Sequence, residues 1–145
     1  MKAVIQRVKR TALYVDGKLI SEIPFGLAVF LGVKASDSEL AAQSVAKKIS
    51  KLRIFEDGTG KMNLSVADVK GEILLISQFT LYGDCSHGNR PSFTLAEQPE
   101  RANKLYELTA QTLRGLGCVV KTGVFGADMK IEQFNDGPVT IIYEI

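Results

Sequence analysis

The unbroken apolar run Leu27–Val33 sets the tightest limit on how this chain can fold. A strand with one face in water alternates apolar and polar residues, whereas a strand covered on both faces reads as continuous apolar sequence. The run is far shorter than the ~18–20 apolar residues that cross a bilayer, and the turn Pro24-Phe25-Gly26 closes it in front. Leu27–Val33 is therefore predicted to be a central strand with protein packed on each side. Ile73-Leu74-Leu75-Ile76, opened by Gly71, has the same character. Any fold for this chain must cover both faces of these two strands.

A chain of 145 residues, 46% of them hydrophobic, is long enough to do so as one domain, 1–145. Ala3–Val8 and Thr11–Val15 read as strands, and Asp16-Gly17 is a dipeptide favoured in tight hairpin turns, leading to Lys18–Ile23. Asp57-Gly58-Thr59-Gly60 predicts a second hairpin between Leu52–Phe55 and Lys61–Leu64. Cys118–Lys121, Met129–Phe134 and Val139–Ile145 read as the last strands. Two helices are predicted. The first starts at a capping box of Ser36 and Glu39 and buries Leu40, Ala41, Val45, Ile49 and Leu52. Lys47, Lys48 and Lys51 lie towards its carbonyl end, where positive charge is favoured. The second has Pro99 at its first position and stops at Gly115 or Gly117. Its buried stripe is Ala102, Leu105, Leu108/Thr109, Thr112/Leu113 and Leu116. The class is α+β, with antiparallel hairpins dominant.

Residue counts exclude several chemistries. With one histidine, His87, and two cysteines, Cys85 and Cys118, no ordinary Cys/His zinc set can be built without carboxylates. Any Ser-His or Cys-His machinery would run through His87. Met1-Lys2-Ala3-Val4-Ile5 is interrupted at once by Gln6 and Arg7, unlike a signal peptide, so a cytoplasmic protein without a membrane partner is expected. A net charge of +2 does not by itself mark a nucleic-acid binder. Only Lys2/Arg7/Lys9/Arg10 and Lys47/Lys48/Lys51/Arg53 approach basic clusters.

Three segments break local rules. Ser77-Gln78-Phe79-Thr80 ends an apolar strand in two hydroxyls and an amide. These either cap backbone groups or meet a ligand, with nearby N–H groups available to an oxyanion. In Asn135-Asp136-Gly137-Pro138-Val139-Thr140, a proline leads straight into a strand. An ordinary Gly-Pro turn feeding an edge strand would explain it, and so would a rigid pair of carbonyls held at fixed positions. Asp84-Cys85-Ser86-His87 invites a thiol–imidazole reading, although loop neighbours seldom have catalytic geometry.

The first two motifs together resemble the D-aminoacyl-tRNA deacylase family, and the likeness covers essentially the whole chain. It runs from Met1-Lys2-Ala3-Val4-Ile5-Gln6-Arg7-Val8 through Leu52-Arg53-Ile54-Phe55-Glu56-Asp57, Lys61-Met62-Asn63-Leu64-Ser65-Val66 and Arg90-Pro91-Ser92-Phe93 to Gly123-Val124-Phe125-Gly126-Ala127-Asp128-Met129. The resemblance implies a barrel-like sheet with two main helices and hydrolysis of the ester between a D-amino acid, or glycine, and the 3′ end of tRNA. It also implies a homodimer, each active site combining Ser77–Thr80 of one subunit with a cis Gly137-Pro138 of the other. Phe125 and Met129 match pocket positions, and Arg7 matches a residue that holds the Gly-Pro loop. No cofactor and no metal is implied. The resemblance further implies that a 2′-hydroxyl of the terminal adenosine takes the place of a protein base.

Other readings make different demands. A non-catalytic RNA-binding domain needs a concentrated basic face with stacking aromatics. A Cys- or Ser-dependent hydrolase would need His87, and a purely structural dimer leaves both motifs without a role.

Overall fold

The computed structural model describes residues 1–145. β1 (Lys2–Val15) turns at Asp16-Gly17, both at positive φ, into β2 (Lys18–Ile23). β3 (Gly26–Gly32) follows and pairs with the first half of β1, from Lys2↔Gly32 to Val8↔Gly26, while β2 pairs with the second half. Next come α1 (Glu39–Lys51), the short ribbon β4 (Phe55–Glu56) and β5 (Met62–Leu64), and β6 (Glu72–Ser77). A one-turn 3-10 helix, Phe79–Tyr82, precedes α2 (Pro99–Gly115), β7 (Val119–Thr122) and β8 (Lys130–Glu144). β8 lies along the other edge of β1 from Lys2↔Glu144 to Tyr14↔Lys130.

β6 joins β3 in parallel, and β7 joins β6 in parallel. Parallel neighbours need a crossover, which α1 and α2 supply. Antiparallel pairs remain the majority, but the centre of the sheet is mixed. Ser21 Oγ donates to Thr122 O at 2.7 Å and Lys121 Nζ to Glu22 O at 2.6 Å, bringing β2 against β7 so that the sheet nearly closes. The α+β class, the barrel-like sheet and the two helices thus stand. No helix is long and apolar enough to cross a membrane.

The apolar run of β3 is explained by two cores. Leu27, Val29 and Leu31 face the helices with Ile73 and Leu75 of β6, against Val45 and Ile49 of α1 and Leu105 and Leu113 of α2. Ala28, Leu74 and Ile76 point the other way, into the barrel, with Val8, Leu13 and Ile23. Gly26 has φ 143°, and a Cβ there would fall 1.9 Å from Glu72 O, so only glycine lets β3 and β6 start side by side.

Several local expectations are corrected. The strands predicted at 3–8 and 11–15 are one strand, because Lys9 and Arg10 are exposed within β1 and interrupt the pattern without ending it. Likewise 129–134 and 139–145 form the single β8, and the second hairpin shrinks to β4 and β5. The N-cap of α1 is Ser38, whose Oγ accepts from Ala41 N, and not Ser36. Asp37 decides this: its carboxylate takes the Met1 ammonium and Lys34 N, both at 2.6 Å, and fixes Ser36 in the preceding turn. The buried face consequently rotates to Ala42, Val45, Ala46 and Ile49, leaving Leu40 exposed. Leu116 is likewise exposed at the end of α2, whose stripe gains Tyr106 and Ala110.

Candidate active site

β6 stops because its polar end changes geometry. Ser77 pairs with Leu31 of β3, and Gln78 N extends the ladder to Leu31 O at 2.9 Å. The chain then winds into the 3-10 turn, where Leu81 N reaches Gln78 O and Gly83 N reaches Thr80 O. The first amides of such a turn have no partner inside it. Accordingly, neither Phe79 N nor Thr80 N donates to a turn, loop or side-chain acceptor. Gln78 Nε2 donates to Thr80 Oγ1, which leaves the hydroxyl proton of Thr80 free for another acceptor.

A cavity of about 550 Å³ opens at this strand end. Ser77, Gln78 and Phe79 form one side, Phe125 and Met129 from the β7–β8 connection a second, and Pro99, Ala102 and Tyr106 of α2 a third. The Tyr106 hydroxyl donates to Leu75 O at 2.7 Å, and its ring lies 6.0 Å from that of Phe125. Burial pushes the Tyr106 phenol far above its ordinary value, so it stays neutral. Phe79 meets Phe93 edge-on at 5.1 Å, which ties the loop after the 3-10 turn to the mouth. Glu97, also on the lining, is held below the usual carboxylate range, chiefly by the Gln98 amide at 2.7 Å, and remains charged. The predicted Ser77, Gln78, Phe79, Phe125 and Met129 therefore converge, with Thr80 next along the turn. Tyr106, Glu97 and Phe93 were not singled out as pocket residues in the sequence. A hint lay in the length of the polar segment 82–98.

The second motif forms a separate structure. Between the pairs Val8↔Asn135 and Gln6↔Thr140, Arg7 alone faces Asp136, Gly137, Pro138 and Val139. Those four residues are extruded as a bulge from β8. The Gly137-Pro138 peptide is cis, and Gly137 has φ 119°, a region closed to most side chains. Arg7 is buried beneath it. Its Nη1 donates to Ile54 O at 2.8 Å and its Nε to Asp136 O at 3.3 Å, with the Asp136 carboxylate 3.2 Å from Nε. Arg7 thus reaches the Gly-Pro segment through Asp136. Within one chain the two motifs do not meet, since none of Arg7, Gly137 and Pro138 borders the cavity.

Asp84-Cys85-Ser86-His87 lies in neither place. Asp84 and Ser92 exchange backbone hydrogen bonds, and Asp84 Oδ1 takes Ser86 N at 2.8 Å, making a small turn. Cys85 and His87 are exposed on it and do not line the cavity.

A largely apolar cavity with the Gln78 amide side chain on its lining, and with the Phe79 and Thr80 amides and the Thr80 hydroxyl in the turn that leads away from it, suits a hydrolase that stabilises an oxyanion without a nucleophile–base pair. The chain is similar to known proteins along nearly its whole length. The sequence profile described as D-Tyr-tRNA(Tyr) deacylase matches residues 4–144. Proteins named D-aminoacyl-tRNA deacylase from Bacillus cereus (strain G9842) and Bacillus cytotoxicus are 51% and 50% identical over 144 residues, 99% of each chain. The chain belongs to the D-Tyr-tRNA(Tyr) deacylase family. A solved structure titled c-Myc DNA Unwinding Element Binding Protein superposes with a TM-score of 0.94 at 42% identity, over 100% of this chain and 99% of its own. Another, only 16% identical, still reaches 0.86 over 99% of this chain and 98% of its own, a likeness of fold alone.

Proposed function

We propose that this protein hydrolyses the ester joining a D-amino acid to the 3′ end of tRNA, and accepts glycyl-tRNA as well. Its place of action on this reading is the cytoplasm. The relatives' names support the reaction, and the observation that carries the mechanism is the pair of amides, Phe79 and Thr80, that open the 3-10 turn where the strand end meets the cavity.

Water adds to the ester carbonyl, and its oxygen becomes the oxyanion of a tetrahedral intermediate. The amides of Phe79 and Thr80 receive that charge, each donor contributing roughly 3–4 kcal/mol in comparable enzymes. The proton leaving the water passes by way of the substrate's 2′-hydroxyl, and the 3′-oxygen departs as the hydroxyl of the released tRNA. Thr80 orients the substrate and forms no acyl intermediate.

Selection lies with the Gly137-Pro138 bulge of a second subunit, whose carbonyls hold the substrate's α-amino group. In that grip an L side chain meets the wall and a D side chain points to solvent, a choice made by steric rejection. Glycine has no side chain to reject. A dimer is favoured because the bulge projects from β8, an edge strand paired only with β1 and carrying exposed Phe134 and Ile142. The separation of the two motifs within one chain also fits a shared site.

Subunit mixing tests this. Thr80→Pro, which removes an amide, and Pro138→Ala are each expected to be nearly inactive alone. After exchange of subunits, the mixed dimer has one intact site, giving roughly a quarter of wild-type activity overall. If mixing restores nothing although mixed dimers form, the site is not shared.

A further inference from the structure

Basic side chains gather where α1 ends. Lys47, Lys48, Lys51 and Arg53, with Ser44 and Leu52, line a groove of about 430 Å³. Ser44, Lys47, Lys48 and Lys51 recur at helical spacing, which puts them on one face, while Ala42, Val45, Ala46 and Ile49 bury the other. All four cations are exposed; Lys47, Lys48 and Lys51 are paired with no carboxylate, while Arg53 donates its Nε to Asn63 O at 2.8 Å and helps to hold the Asp68 carboxylate below its ordinary value. Arg10, Lys104, Lys121 and Lys130 elsewhere on the surface each hold a carboxylate. One or two lysines would complement the carbonyl end of the helix. Four cations within seven residues, including the like-charged i,i+4 pair Lys47 and Lys51, repel each other unless an anion lies among them.

The groove also adjoins the Gly-Pro bulge. Arg53 precedes Ile54, whose carbonyl holds Arg7, and Arg7 in turn holds Asp136. On the other flank, Lys48 Nζ lies 5.4 Å from the centre of the Tyr143 ring. Tyr143 is farther along β8, roughly 16 Å past Pro138 at the usual rise of a strand. A polyanion whose end is held at the bulge therefore has a cationic track beside it.

We propose that this groove binds the phosphate backbone of the tRNA acceptor arm, presented by the subunit that lends its Gly137-Pro138 bulge, a step that rests on the deacylase reading above. Lysines supply point charges on flexible stems, which position a nucleic acid without reading its sequence. The modest net charge of +2 is then no obstacle, because the positive charge is local.

The test compares two substrates with the same reacting ester: D-Tyr-tRNA, and D-tyrosine esterified to adenosine alone. The triple variant Lys47→Ala/Lys48→Ala/Lys51→Ala is expected to raise KM for D-Tyr-tRNA roughly tenfold or more at physiological salt, with kcat held. Its plot of log KM against log salt, between about 50 and 200 mM, should be shallower by roughly 2–3. The adenosine ester should be cleaved as by the wild type, and the triple Lys→Arg variant should recover both KM and slope. An unchanged KM and salt slope with D-Tyr-tRNA overturns the proposal, and so does an equal loss on both esters. A wild type inactive on both esters would instead refute the deacylase reading itself, a separate result.

Discussion

Replacing Arg7 by methionine keeps most of the side chain's length and removes its charge. Arg7 is 6% exposed, and its guanidinium donates to Ile54 O at 2.8 Å and Asp136 O at 3.3 Å, with Asp136 Oδ2 at 3.2 Å. Hydrogen bonds of charged groups each contribute roughly 1.5–3 kcal/mol, and the Ile54 carbonyl loses its buried donor. Asp136 is 25% exposed and regains water once freed, which moderates its share. The expected loss is therefore about 2–4 kcal/mol, read in urea as a lower midpoint with unchanged slope. Part of that energy holds the bulge, since Arg7 is the only β1 residue opposite its four residues. With the bulge loosened, the ratio of kcat/KM for D-Tyr-tRNA over L-Tyr-tRNA should fall tenfold to hundredfold, about 1.4–2.7 kcal/mol. Arg7→Lys retains the charge but not the fork, and should lie between. A less stable Arg7→Met enzyme with the wild-type D/L ratio would refute the role given to Arg7 as a positioning residue.

Gly137→Ala places a Cβ 2.8 Å from Val139 Cγ2 at φ 119°, so roughly 1–3 kcal/mol of stability and most D-Tyr-tRNA hydrolysis should be lost, measured by urea unfolding and single-turnover assay. Asp37→Asn removes the anionic partner of the buried Met1 ammonium and should cost about 3 kcal/mol, lowering Tm by roughly 6–12 °C. The Asp57 carboxylate is held down to about 2, first by the Thr59 hydroxyl and then by the Thr59 and Lys61 amides. A depressed carboxylate stabilises the fold above its ordinary value of 3.8 and loses that effect as pH falls towards 2. Asp57→Asn should therefore flatten the acid limb of the stability–pH curve in that window, and parallel curves would contradict it. Cys85→Ala and His87→Ala should leave D-Tyr-tRNA hydrolysis within twofold of wild type, because both lie away from the cavity.

The sequence was most legible where one local cause governs the structure. The turn at Asp16-Gly17, the doubly covered Leu27–Val33 and the helix start at Pro99 are of this kind. It was less legible where a distant group decides. Ser38 rather than Ser36 caps α1 because Met1 and Lys34 draw in Asp37, and nothing within 36–39 reveals that. Lys9 and Arg10 look like a strand boundary until β8 is seen to pair across them. Parallel pairing of β3 with β6 cannot be read from apolar runs, which fit either direction. Ser77–Thr80 and Asn135–Thr140 stood out as breaks in local rules, but their joint meaning came from resemblance to a family. The wall of α2 with Tyr106 requires the folded chain, because its residues are far from Ser77 in sequence.

The central claim is selection by rejection at the Gly137-Pro138 bulge. Its most direct measurement is the single-turnover rate on D-Tyr-tRNA, L-Tyr-tRNA and Gly-tRNA under one condition. Rates for the D and glycyl esters should be of the same order, with the L ester slower by a thousandfold or more, about 4 kcal/mol. Release of L-tyrosine as fast as D-tyrosine would contradict it.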